Sequence, residues 1–208
     1  MTKSEEFNSE YIEVSGNQVQ QDMMEGFPYL EHNENVALAL EVCKQAGIDI
    51  KTALEGMVSA TPDPGALQIM TIPGKKDNNK FINAFAANDP QSTFQIYKLL
   101  ESRSGHNHIA IFLNARADRR YRTKQMYELV LNKIKPHLFI VRGDDLPKLD
   151  AFDHTENCEI VTFPESTKQD ELINYIFSLN DEYVMGIGNM VGWGEEFILK
   201  LKQAKIND

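Results

Sequence analysis

From Leu67 to the C-terminus, short continuous apolar runs alternate with amphipathic helical patterns, and this alternation restricts the fold more than any other feature of the chain. The apolar runs lie at 67–72, 81–86, 108–113, 137–141, 159–163 and 183–187. Between them, segments 92–102, 123–134, 168–179 and 195–204 repeat apolar residues at helical spacing, as in Met126, Leu129, Val130 and Ile134. Apolar runs that do not alternate with polar residues suit strands buried on both faces, which means a mainly parallel sheet covered by helices. The pattern predicts an α/β, doubly wound, mostly parallel six-stranded sheet. Pro90 suits a first helical turn, and Ser166 to Gln169 has capping-box spacing.

The first ~60 residues read differently. A strand or hairpin is expected at 10–20, around Ser15-Gly16-Asn17. A helix follows from Asn35, with Val36, Ala39, Leu40 and Cys43 on one face and Leu38 and Val42 on another; apolar nearly all round, it is expected to be buried. Gly47 stops it, and Asp49 caps a second helix ending near Met57. The breaker run ATPDPG at 60–65 is the expected boundary, giving a two-helix unit at 1–60 and the sheet domain at 61–208.

With 21 Lys and Arg against 31 Asp and Glu, the formal net charge is −10, which argues against electrostatically driven nucleic-acid binding. Cys43 and Cys158 are far apart and form no CxxC pair, so neither a disulfide scaffold nor a zinc site is expected, and a reducing cytoplasmic setting is the default. No apolar run approaches the ~20 residues of a membrane span. The sequence contains no GxxxxGK[ST], HExxH or GxSxG motif. His32, His106, His108, His137 and His154 lack metal-ligand spacing, and no metal site is expected. Trp193, the sole tryptophan, reads as a packing or loop anchor.

In open parallel α/β sheets, ligands gather beyond the carboxyl ends of the strands. Four such places carry chemistry here. The second apolar run leads into Ala87-Asn88-Asp89-Pro90, where a helix start can hold an anion or simply be well capped. The third leads into Arg116, Asp118, Arg119, Arg120 and Arg122: four arginines within seven residues of an acidic chain. Guanidinium groups suit bidentate capture of carboxylate or phosphate, although a charge run can also be solvated helix surface. The fourth leads into Arg142-Gly143-Asp144-Asp145, paired acids that can bind a metal, a ribose or an ammonium group but that a tight turn explains equally. The last gives Gly186, Gly188, Asn189, Gly192, Gly194 and Glu195, a glycine loop before a helix whose backbone N–H groups could approach an anion.

Taken together, GFPYLEHNENVALAL at 26–40, ATPDPGAL at 60–67, NAFAANDPQST at 83–93, LNARADRR at 113–120 and GIGNMVGWGEE at 186–196 resemble the second half of bacterial poly-γ-glutamate synthase. That is the capsule-type amide ligase family of the Mur ligase and folylpolyglutamate synthase superfamily. The resemblance implies a Rossmann-like C-terminal domain preceded by the last helices of a central ATP-binding domain. It also implies ATP and Mg²⁺ as cofactors, held mainly by the N-terminal half of such enzymes. Glutamate and poly-γ-glutamate are the implied partners, together with membrane-bound subunits of a synthesis and export complex.

By the same resemblance, His32, Asn35, Asn83, Asn88 and Asp89 fall at nucleotide-binding positions. Only Asn35 matches the Mur-type His-Asn-x-x-Asn pattern cleanly, and the Mur-type Asp and His are replaced by Asn83 and Ala87. Arg116, Asp118 and Arg119 are implied as catalytic. Arg116, Arg119, Gly186, Gly188, Asn189 and Glu195 are implied as substrate-binding, with Asp118 orienting the Arg116 fork. Lacking a P-loop, the chain is expected to be inactive alone. Two competing readings are a non-catalytic binding or regulatory module, and a Mur-type or folylpolyglutamate ligase, which the GIGNMVGWGEE ending disfavours.

Overall fold

The structure, a computed structural model, describes residues 11–27, 31–60, 67–87, 89–104, 109–148, 152, 157–180 and 182–206, the side chains of 102–104 excepted. Asn88, His106, His108, His154 and most of the 60–65 breaker run lie outside the described residues. The chain forms two compact units, 1–61 and 62–208.

In the first unit, α1 (Gln21–Met24), α2 (Asn33–Gln45) and α3 (Ile50–Ser59) surround a small core of Val19, Val36 and Ala37. Asp49 caps α3 through the Thr52 amide at 3.1 Å, as its spacing predicts. Two expectations fail here. Residues 16–18 form a single 3-10 turn rather than a strand, because Ser15 and Gln18 cap one another reciprocally and close the backbone locally. The second apolar face of α2 is not buried: Leu38 is 55% and Val42 61% exposed, since the small core engages only the Val36 and Ala37 side.

The second unit is one six-stranded sheet: β1 (Gln68–Ile72), β2 (Asn79–Asn83), β3 (Ile109–Asn114), β4 (Leu138–Arg142), β5 (Glu159–Phe163) and β6 (Tyr183–Gly188). The spatial order is β1-β2-β6-β3-β4-β5, parallel throughout except for the antiparallel edge strand β1. The helices are α4 (Pro90–Ser104), α5 (Arg120–Leu129), α6 (Gln169–Ser178) and α7 (Trp193–Gln203). A π-helical turn, Val130–Ile134, extends α5 and ends at Lys135 in the left-handed region. Ser166 does not cap α6: Lys168 occupies that position, and the Thr167 amide turns back to the Pro164 carbonyl at 3.0 Å.

Side-chain alternation in the strands divides the core. Phe81, Ala110, Phe112, Leu138, Ile140 and Val184 face α6 and α7, meeting Leu172, Ile176, Phe197 and Leu201. The opposite face meets α4 and α5, as where Tyr127 packs edge-on against Phe139 with ring centroids 5.1 Å apart. Burial pushes the Tyr127 phenol pKa well above its ordinary range.

Strand β2 starts two residues before its apolar run because polar groups anchor its entry. Buried Asn79 donates to the Ile176 carbonyl at 2.8 Å and accepts the Glu182 amide at 2.9 Å. Lys80 donates across the β1–β2 pair to Thr71 at 2.6 Å.

Candidate functional site

The helices following β2 and β3 lie on one face of the sheet, whereas the helix following β6 lies on the other. Chain direction therefore splits between β3 and β6, which are neighbours. A split of this kind leaves a crevice beyond the carboxyl ends of the two strands, the usual ligand site of open α/β sheets. A small pocket lies there, lined by Asn114 and Arg116, by Arg119, Arg122 and Thr123, and by Gly188 and Asn189.

Each wall has a local cause. Strand β3 ends at Asn114, and its backbone passes through extended Arg116 into a 3-10 turn at Ala117–Arg119 before α5 begins. Arg116 and Asp118 form a two-bond fork, Nε to Oδ1 at 2.9 Å and Nη2 to Oδ2 at 2.7 Å. The Arg116 guanidinium hydrogen-bonded to Asp118 holds that carboxyl below its ordinary value. This pair is neutral overall.

Arg120 turns away to Asp145, at 2.5 Å. Arg119 and Arg122 make no ion pair among the described residues and, although the Asp118 carboxylate also feels the Arg119 charge, they carry the excess positive charge of the pocket. Together with Arg120 they crowd the N-terminal end of α5, where a helix dipole disfavours cations by ~0.3–1 kcal/mol each. An anion held among them would relieve that repulsion.

The wall from β6 rests on close approach between backbones. Gly188 has φ +99°, and a Cβ there would lie 2.6 Å from the Asn114 carbonyl oxygen. A Cβ on Gly186 would strike the rings of Phe81 and Phe85, and one on Gly194 would meet the Asn189 oxygen at 2.7 Å. The Asn189 amide donates to the Asn114 carbonyl at 2.9 Å, and Glu195 accepts the Gly192 amide at 3.0 Å. These glycines thus serve packing and loop closure, and both of these amides are already used inside the protein.

The other expected positions are spread out. Asp89 caps α4, accepting the Gln91 and Ser92 amides at 3.0 Å each, and these bonds, the Ser92 amide foremost, hold its carboxyl below the ordinary range. Asn83 is fully buried at the end of β2. His32 is the backbone cap of α2 and makes no side-chain capping bond. Asn35 donates to Glu31 at 2.7 Å, beside a pocket of the first unit lined by Phe27, Val36, Ala39 and Met57. Asp144 braces the Glu165 amide at 3.0 Å, so the paired acids after β4 serve loop structure. The described residues contain no cluster of three or more His, Cys, Asp or Glu placed to hold a metal ion.

Sequence reasoning missed Asn114, Thr123 and Arg142. Asn114 stands just past an apolar run that ends at 113, and Arg142 opens a segment that reads as a turn. Only their position at the ends of adjacent central strands could have marked them.

The sequence profile of the poly-γ-glutamate synthase CapB C-terminal domain matches residues 69–204. The chain is 32% identical to the capsule biosynthesis protein CapB of Bacillus anthracis, covering 98% of this chain and 45% of that protein. It is 31% identical to PGA synthase CapB of Bacillus subtilis strain 168, over 98% of this chain and 53% of that protein. It therefore spans about half the length of these relatives. Among solved structures, UDP-N-acetylmuramate-alanine ligase MurC of Thermotoga maritima shares the fold, with a TM-score of 0.51 at 13% identity over 82% of this chain and 37% of that one. No described helix is long and apolar enough to cross a membrane. With a profile match through the whole sheet and relatives above 30% identity along the chain, this chain belongs to the poly-γ-glutamate synthase CapB C-terminal domain family.

Proposed function

We propose that this chain forms the glutamate-receiving part of an ATP-dependent amide ligase that makes poly-γ-glutamate. In the overall reaction, a carboxylate oxygen takes the γ-phosphoryl group of ATP and ADP leaves. The amine of glutamate then attacks the acyl carbon, loses a proton, and inorganic phosphate departs. ATP and Mg²⁺ are assigned mainly to the length of the relatives that this chain does not span, because its sequence has no P-loop. On this reading the chain alone turns over neither ATP nor glutamate. The enzyme works in the cytoplasm against membrane-bound subunits that export the polymer.

The observation that carries the reading is the pair of unpaired arginines, Arg119 and Arg122, in the strand-end crevice of a family member whose net charge is −10. A poly-γ-glutamate chain bears a carboxylate on every residue and would be repelled by the chain as a whole. Arg119 and Arg122 offer free guanidinium forks, and Arg116 adds the edge that Asp118 leaves open. Asp118 keeps the Arg116 plane fixed and does not itself meet substrate, since a free carboxylate there would repel glutamate.

The test replaces the matching segment of the Bacillus subtilis relative with this chain and measures ATP-consuming glutamate polymerisation. Activity should appear in the hybrid, and Arg119→Ala or Arg122→Ala should each raise the KM for glutamate acceptor about tenfold, equivalent to ~1.4 kcal/mol. A folded hybrid that binds ATP but makes no polymer would reject the ligase reading and favour a non-catalytic binding module.

A further inference from the structure

We propose that Arg142 is a positioning residue of the strand-end pocket, a buried guanidinium that acts through Asn114 to fix the loop following β6. The proposal rests on the reading of that pocket as a carboxylate site. Arg142 is the last residue of β4 and only 5% exposed. A buried charge is costly unless paired, yet among the described residues Arg142 makes no ion pair. Its partners are neutral. Nη1 donates to Asn114 Oδ1 at 2.9 Å, Nη2 donates to the Glu165 backbone carbonyl, and the guanidinium lies 4.2 Å from the centroid of the Trp193 ring. Nε is buried with no hydrogen-bond partner among the described residues. Burial lowers the Arg142 pKa, and the charges of Glu165 and Asp144 act against that.

A methionine or leucine could fill this space without burying a charge, so stability alone does not call for arginine. Orientation does. An asparagine amide can present either its oxygen or its nitrogen to a neighbour. A guanidinium only donates, so Arg142 fixes Asn114 Oδ1 toward β4 and Nδ2 toward the loop after β6. There Nδ2 donates to the Asn189 carbonyl at 2.7 Å, while the Asn189 amide donates to the Asn114 carbonyl at 2.9 Å. One residue thus holds Asn189 by both backbone groups, at the edge of the pocket that Arg119 and Arg122 line.

Trp193 secures the far side. Its Nε1 donates to the Thr167 carbonyl at 2.8 Å, tying the start of α7 to the turn after β5. Arg142 therefore joins the loops after β3, β5 and β6, and a lysine, with no plane to stack and no fork, could not.

The experiment uses the purified 208-residue chain and amide hydrogen exchange. Arg142→Lys and Arg142→Met should each speed exchange of the Asn189 amide at least tenfold while Ile111 and Ile140 stay protected. Asn114→Ala should do the same, and combining it with Arg142→Lys should add little, because the two act through one link. The affinity for a γ-linked glutamate pentamer should fall about tenfold in each variant.

If Arg142→Lys fails to fold, the Asn114→Ala exchange result carries the test. Wild-type Asn189 exchange in any folded variant overturns the proposal, and so does full additivity in the double variant. Faster exchange with an unchanged pentamer affinity overturns it as well. A wild-type chain that binds no pentamer rejects the pocket reading, and the exchange and additivity results then decide the positioning role separately.

Discussion

At single positions, two glycines of similar backbone conformation predict unequal losses on substitution. Gly47, at the end of α2, has φ +78°, and a Cβ there would meet nothing within 4 Å. Gly188 has φ +99°, and a Cβ would press on the Asn114 carbonyl at 2.6 Å and the Leu113 side chain at 2.8 Å. Gly47→Ala should cost only the left-handed backbone penalty, about 1–2 kcal/mol. Gly188→Ala must add displacement of the β3 backbone and should cost at least ~3 kcal/mol, with the pocket lost as well. Urea unfolding of the two variants checks this, and equal losses would mean that the close approach at Gly188 is not tight. Both glycines were visible in the sequence, but the reason for Gly188 was not. A glycine that admits an anion and one that admits a neighbouring strand look the same until the strand order is known. The arginine cluster was similarly only half legible: its presence was plain, whereas the division into paired Arg116 and Arg120 and unpaired Arg119 and Arg122 depends on where Asp118 and Asp145 fold.

At the level of elements, the strands and helices of the sheet domain were legible because their periodicities differ, and tertiary burial agrees except at β5, an edge strand with no buried residue because only β4 flanks it. The departures occur where polar groups set a boundary. Asn79 and Lys80 belong to β2 because they bond across to α6, β6 and β1, contacts between segments up to about a hundred residues apart. The missing strand at 10–20 and the displaced cap of α6 show the same thing locally: a nearby side chain or carbonyl took the backbone bond that the pattern had assigned elsewhere. The start of α4 was read correctly, and it carries a pH prediction. Asp89 accepts two amides of the first turn, and Pro90 follows at the first helical position, where its missing N–H costs nothing. The native carboxyl pKa is depressed, so the capping contribution is complete above the unfolded value near 4 and fades as pH falls through the native value. Asp89→Ala should lose about 1 kcal/mol at pH 7, and the gap from wild type should narrow below pH 4. A gap that persists undiminished at pH 2.5 would mean that packing, not the ionised cap, is responsible.

For the whole molecule, charge is divided as unevenly as structure. Residues 1–61 contain eleven acidic and three basic side chains, net −8, so the remaining −2 of the formal −10 falls on residues 62–208. The unit that carries the pocket is close to neutral, and its sheet takes no strand from the first unit. With a core of its own and a size typical of independent domains, the chain shortened to 62–208 should unfold cooperatively by itself. It should also bind a γ-linked glutamate pentamer more tightly than the full chain at low salt, because removing a net −8 removes long-range repulsion of a polyanion. At ~10 mM ionic strength the screening length is about 30 Å and the difference should reach severalfold; near 1 M, where it is about 3 Å, the two affinities should converge. Calorimetric titration at the two salt concentrations makes the comparison. If the shortened chain folds but binds more weakly at low salt, the first unit contributes contacts that outweigh its charge. An aggregated or non-cooperative 62–208 chain would instead show that the sheet domain depends on the helices that precede it.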